Sequence, residues 1–179
     1  MKTKKDTNEI MIIDDWKKDQ ILCSAAIAGV WDMQQAIAYF IDKASKAGSF
    51  YDRETALENA NRIKRFAQEP KKYFKKILPK LNENAQAALI ALNKIMYFDV
   101  YLYQLLKKGY VEIAPTGYLE LKINLRKLLT LIKRIYAKNP PFKEVETLFS
   151  LKKYQCSKNS SKLNPYSKQF IDFLIKLFS

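Results

Sequence analysis

Residues 83–109 read ENAQAALIALNKIMYFDVYLYQLLKKG. Apolar side chains fall on two rows at helical spacing. Ala85, Leu89, Leu92 and Met96 make one, and Ala91, Ile95, Phe98, Leu102 and Leu105 make the other. A helix that is apolar on nearly every face belongs at the centre of a bundle. The spacing predicts one helix over Glu83–Lys108, ended by Gly109, with the rest of the chain packed around it.

The residues that follow change period. Tyr110-Val111-Glu112-Ile113 leads through Ala114-Pro115-Thr116-Gly117 to Tyr118-Leu119-Glu120-Leu121-Lys122-Ile123. Alternation with a period of two, on either side of Pro-Thr-Gly turn chemistry, predicts a short β-hairpin near 110–123. The competing reading extends the next helix back to Tyr118. Asn124 caps that helix, expected over Leu125–Lys138 with Leu125, Leu128, Ile132 and Ile135 facing inward. The local run Leu105–Ile113, then a turn and Tyr118-Leu119, resembles the end of a recognition helix entering a wing in winged-helix domains. No site residue carries over from that resemblance. The short helix and tight turn that precede a recognition helix are not seen where 83–108 reads as one unbroken helix.

Upstream, a first helix is expected from Asp14-Asp15, with Ala26, Val30, Met33, Ile37, Phe40 and Ala44 as its stripe, Gly29 as a kink and Gly48 as a stop. Residues 1–12 read as a flexible arm. Ser49 or Asp52 caps the next helix, whose buried positions are Ala56, Ala60, Ile63 and Ala67, and Pro70 and Pro79 bracket a short basic helical piece. Downstream, Asn139-Pro140-Pro141 is a break, Phe142–Lys153 a helix and Gln155–Leu163 a polar loop. Asn164-Pro165 starts a terminal helix rich in Phe170, Ile171, Phe173, Leu174, Leu177 and Phe178. The expected fold is therefore mainly α: a single-domain bundle of about six helices over residues 1–179, with one hairpin.

Charge is distributed unevenly. The net charge is +14, yet residues 1–60 hold eight Lys/Arg against ten Asp/Glu, and residues 61–179 hold twenty-four against eight. That asymmetry points to a polyanionic partner. Candidate contacts are Arg62, Lys64, Arg65, Lys71, Lys72, Lys75 and Lys76, with Arg126, Lys127, Lys133 and Arg134 as a second strip. Only five of the 32 basic residues are arginine, so contact with phosphates is expected in preference to the bidentate reading of bases. Lysine together with many Ile, Asn and Tyr is also the vocabulary of an AT-rich genome, and a solvated lysine-rich surface is the plain alternative.

The chain has no histidine. Ser-His-Asp and Cys-His catalysis, imidazole base chemistry and most zinc sites are thereby excluded. No catalytic residue, metal ligand or cofactor is assigned. Carboxylate pairs remain: Asp15 with Asp19, and Glu54 with Glu58, each on one helical face. Helical pyrophosphatases and prenyl synthases bind Mg²⁺ through such pairs, but the second acidic motif those families require is not recognisable. Asp99 is a lone carboxylate in the most apolar helix, with Tyr103 or a lysine as its expected partner. Tyr97 and Tyr101, beside Lys108, are expected in core or rim packing more than in base stacking. Cys23 and Cys156 cannot form a disulfide framework and fit the cytoplasm, and charged residues interrupt both apolar stretches that could otherwise span a membrane.

Three functions follow as expectations. The first is a non-enzymatic basic module engaging nucleic acid through phosphates. The second is an inhibitor, immunity or accessory subunit that binds an acidic protein surface, with the terminal helix as a groove contact. A Mg²⁺-dependent carboxylate enzyme is third. Oligomeric state is not legible.

Overall fold

The computed structural model describes the backbone of residues 4–94 and 98–179 and the side chains of 15–94 and 98–179. Among these residues the chain is mainly helical, with one antiparallel hairpin. The helices are α1 (Lys4–Ile27), α2 (Met33–Ser45), α3 (Phe50–Ile77), α4 (Glu83–Asn93), α5 (Phe98–Lys107), α6 (Leu125–Tyr136), α7 (Phe142–Leu148), α8 (Gln155–Ser160) and α9 (Lys168–Phe178). Nine α-helices among the described residues stand against about six expected: two expected helices are each broken in two, one expected loop is helical, and most of the separate basic piece between Pro70 and Pro79 is continuous with α3. The described chain forms two compact units: residues up to Phe66 with Leu174–Ser179, and Ala67–Phe173. The division falls inside α3 and inside α9.

In the first unit, α1 begins at Lys4, ahead of the expected start at Asp14–Asp15, since no glycine or proline interrupts 4–27. Of the expected arm over 1–12, residues 1–3 lie outside the described residues and 4–12 form the first turns of α1. The single helix expected through Gly29 to Ala44 is two. Gly29 turns left-handed at φ +71°, and Asp32 accepts from Gln35 N at 2.9 Å to cap α2. Met33, Ala36, Phe40 and Ala44 are the buried face of α2. Ser49 Oγ accepts from Asp52 N at 3.1 Å and opens α3, whose Ala56, Ala60 and Ile63 are buried. Pro70 does not stop this helix. It supplies no N–H for the Phe66 carbonyl, so one rung is missing, but the flanking turns carry α3 on to Ile77.

In the second unit the expected 83–108 helix is broken. α4 ends at Asn93, and Asn93 Oδ1 accepts from Asp99 N at 3.0 Å at the head of α5. Ile95, Met96 and Tyr97 lie outside the described residues. The buried faces are Ala85, Ala88, Leu89 and Leu92 on α4, and Phe98, Val100, Leu102 and Leu105 on α5. The hairpin forms as read, β1 (Val111–Ile113) against β2 (Leu119–Leu121), with Val111 opposite Leu121 and Ile113 opposite Leu119. Its turn holds Gly117 at φ +80°. The turn is fastened to the start of α4, where Asn82 N donates to Gly117 O at 3.0 Å and Asn82 Nδ2 to Thr116 O at 3.2 Å. Asn124 Oδ1 accepts from Arg126 N at 2.8 Å and starts α6, which buries Leu128, Leu129, Leu131, Ile132 and Ile135. α4 packs on α7, and α6 on α8.

Two boundaries differ downstream. α7 stops at Leu148, short of Lys153, because Ser150 turns left-handed at φ +50°. The expected polar loop contains the short helix α8. Asn164 Oδ1 takes Tyr166 N in a turn, and α9 opens later, with Ser167 Oγ accepting from Phe170 N at 3.3 Å. Among the described residues, no helix is long and apolar enough to cross a membrane.

Candidate nucleic-acid interface

Lys71, Lys72, Lys75 and Lys76 lie on the last turns of α3, and all four are exposed. None forms an ion pair among the described residues, although the Lys71 ammonium acts on the Asp99 carboxyl at longer range. Tyr73, between them, meets Tyr103 of α5 edge to face, with ring centroids 5.2 Å apart. Lys107, one turn beyond Tyr103, sets its ammonium 5.8 Å from the centre of that ring. The half-buried Tyr73 and Tyr103 thus join Lys107 of α5 to the segment of α3 that carries the four lysines. Lys107 and Tyr103 were not among the sequence candidates; the i, i+4 spacing of Tyr103 and Lys107 was the available signal.

Arg62, Lys64 and Arg65 are also exposed on α3, in the first unit. Arg65 approaches Glu58 at 3.8 Å across exposed side chains, a contact that contributes little in water.

The second strip is not one strip. Arg126 and Lys127 are exposed on the first turn of α6, which holds no acid to balance them. Lys127 lies 5.4 Å over Phe173, whose ring stacks on Tyr110 at 6.2 Å. Lys133 and Arg134 are half-buried and already engaged. Lys133 Nζ donates to Ser160 O at 3.2 Å and Leu163 O at 3.1 Å. Arg134 donates to Pro165 O at 3.0 Å and lies 5.2 Å over the Tyr166 ring. Both act as fasteners for the segment after α8. Their long side chains reach carbonyls that nothing in the linear order predicts.

Two carboxylates among the described residues are buried, Asp19 and Asp99, and Asp99 has no ion pair. It is 3% exposed. Its Oδ1 accepts from Val100 N at 3.0 Å, and its Oδ2 has no hydrogen-bond partner. The expected partner Tyr103 is turned to Tyr73 and Lys107 instead. Burial raises the Asp99 carboxyl above the usual aspartate value, against the pull of the Val100 N–H and the Lys71 ammonium. Tyr136, whose hydroxyl donates to Leu92 O, is raised by burial and by the charges of Glu144 and Asp99.

The acidic pair of α1 is accounted for by a cation of the chain. Lys43 Nζ donates to Asp15 at 2.9 Å and to Asp19 at 2.6 Å. Burial opposes its charge, but the hydrogen bonds to Asp19 and Asp15 prevail and hold the ammonium above its ordinary value. The ammonium therefore bridges the two carboxylates. No group of three metal-ligating side chains occurs among the described residues.

Tyr97 lies outside the described residues, and Tyr101 is half-buried. α5 buries Phe98, Asp99, Val100, Leu102, Gln104 and Leu105; what it leaves toward solvent is the half-buried Tyr101 and Tyr103 with the exposed Lys107, and a break precedes it and a hairpin follows. On the terminal helix, Phe170, Leu174, Leu177 and Phe178 are buried within the chain, and Ile175 is exposed.

No protein family, no curated protein and no solved structure matches the chain.

Proposed function

We propose that the chain is a non-enzymatic binding module that engages nucleic acid through its phosphates. The second unit carries the contact, and Lys71, Lys72, Lys75 and Lys76 with Lys107 are its centre. The supporting observation is the exposure of these lysines with no ion pair among the described residues, in a unit holding twenty Lys/Arg against eight Asp/Glu. Each cation that meets a phosphate releases condensed counterions, which makes the affinity salt-dependent. An acidic protein surface would meet the same lysines. The rings of Tyr73 and Tyr103 beside them favour nucleic acid, since aromatic faces among cations suit bases more than carboxylates. A cytoplasmic location accords with Cys23 and Cys156, both buried free thiols; burial and Glu146 push the Cys156 thiol up to about 12.

The test titrates labelled single-stranded and duplex oligonucleotides at two salt concentrations, with native protein and a Lys71/Lys72/Lys75/Lys76→Gln variant. Four lost phosphate contacts reduce the log–log salt slope by roughly 3. Lys122→Gln is the control, because Lys122 already pairs with Glu120 at 2.9 Å and Glu112 at 3.5 Å; its slope stays native. No affinity at low salt, or equal slopes for native and quadruple variant, overturns the proposal.

A further inference from the structure

Residues 147–171 contain five lysines and no aspartate or glutamate. Lys152, Lys153, Lys158, Lys162 and Lys168 are all exposed. The same segment carries two tyrosines that the fold leaves in solvent, Tyr154 at 60% and Tyr166 at 67% exposure. We infer that this segment is a single-strand-binding surface on which Tyr154 and Tyr166 stack unpaired bases while the lysines meet the phosphates. The inference rests on the nucleic-acid reading above and names the ligand class.

Packing does not account for either ring. Tyr154 sits at φ +64°, in the left-handed region, immediately before α8. A bulky residue there is strained, and glycine or asparagine would be easier. Since the side chain is mostly exposed, burial does not offset the strain. Tyr166 follows Pro165 in the turn closed by Asn164, and its ring also lies outside the core.

Both rings are nonetheless oriented. Lys153 Nζ lies 4.9 Å from the centre of the Tyr154 ring. The Arg134 guanidinium lies 5.2 Å from that of Tyr166 and is itself held by the Pro165 carbonyl. A cation on one face fixes the ring, and the exposed remainder of each tyrosine is open to a base. Lys133 ties Ser160 and Leu163 to α6, and Cys156 and Ser160 are buried, so the tyrosines stand on a fastened support. Such preorganisation lowers the entropic cost of binding. Glu146 of α7 accepts from Cys156 N at 3.0 Å and is occupied at the start of α8.

Single strands are favoured over duplexes by the chemistry of the rings. Stacking needs a free base face, and in a duplex those faces are covered by neighbouring base pairs. A lysine surface alone would bind either form.

The experiment compares full-length native protein with Tyr154→Ala, Tyr166→Ala, the double variant, and Tyr154→Phe/Tyr166→Phe. The probes are a labelled single-stranded oligonucleotide and a duplex of matched length, read by anisotropy, with folding checked by circular dichroism. Each alanine weakens single-strand affinity about fivefold or more, the phenylalanine pair keeps it, and duplex affinity and salt slope stay native. Equal single-strand affinity for native and double-alanine protein, with the Lys71/Lys72/Lys75/Lys76→Gln variant still impaired, overturns this inference and leaves the phosphate-binding reading standing. Absence of any oligonucleotide binding by native protein removes both.

Discussion

Replacing Asp99 by asparagine tests the electrostatics of the interior directly. Asp99 is buried, keeps one hydrogen bond from Val100 N at 3.0 Å, and leaves Oδ2 without a partner. Burial therefore holds its carboxyl above the 3.8 of an ordinary aspartate. The folded chain keeps this proton at a pH where the unfolded chain has released it. Stability from this group is complete below about 3.8 and is lost as pH rises through the folded value. The charges around it are Lys71 from α3, Tyr136 from α6 and, beside Tyr136, Glu144 from α7. All three remain in the variant, so the comparison reads the Asp99 carboxyl together with its interaction with them. In Asp99→Asn the amide keeps an oxygen for the Val100 N–H and carries no charge at any pH. Near pH 3 the two proteins should agree within about 1 kcal/mol, the cost of one unpaired buried amide group. As pH rises, the difference moves in favour of the variant by up to about 1.4 kcal/mol per pH unit while the native carboxyl still holds its proton, then levels. Urea unfolding of both proteins from pH 3 to 8 gives this difference curve. A flat curve, or one in which the variant loses ground as pH rises, would mean that the fold stabilises the ionised carboxylate, and the reasoning fails.

Two further substitutions probe the backbone. Tyr154→Gly relieves the left-handed strain before α8 and raises stability by up to about 1 kcal/mol, seen as a higher urea midpoint at unchanged m-value; a lower midpoint would show that the ring supports the fold. Gly117→Ala has the opposite sign: a Cβ there would lie 2.7 Å from Asn82 N at φ +80°, so the variant should lose more than about 1 kcal/mol in the same assay. A neutral result would mean that the turn shifts without cost.

Much of this fold was legible because local chemistry and tertiary packing agree. The period-two run after Tyr118 and the Pro-Thr-Gly turn gave the hairpin, and Asn124 gave the start of α6. The misses have physical causes. Apolar spacing continues across Asn93, so periodicity alone could not reveal the end of α4; the sign was the asparagine, whose side chain turns to cap Asp99. Asp32 with Gln35 is a capping-box pattern, masked because the apolar stripe runs through it. Pro70 reads as a stop, yet the surrounding helix tolerates one missing rung. At the candidate site, exposure of Lys71, Lys72, Lys75 and Lys76 followed from their helical position. The engagement of Lys133 and Arg134 did not, because their partners lie about 30 residues away in the turns after α8. Tyr154 and Tyr166 gave no periodic signal at all.

Asn82 does three jobs at once: Oδ1 accepts from Ala85 N, Nδ2 donates to Thr116 O, and its own N–H donates to Gly117 O. The first turn of α4 and the tip of the hairpin therefore share a single residue across a gap of 34 positions. Neither can open without loosening the other. In hydrogen exchange the Ala85 and Asn82 amides would be released together, in one subglobal event, and that pair would report when the second unit becomes native during refolding.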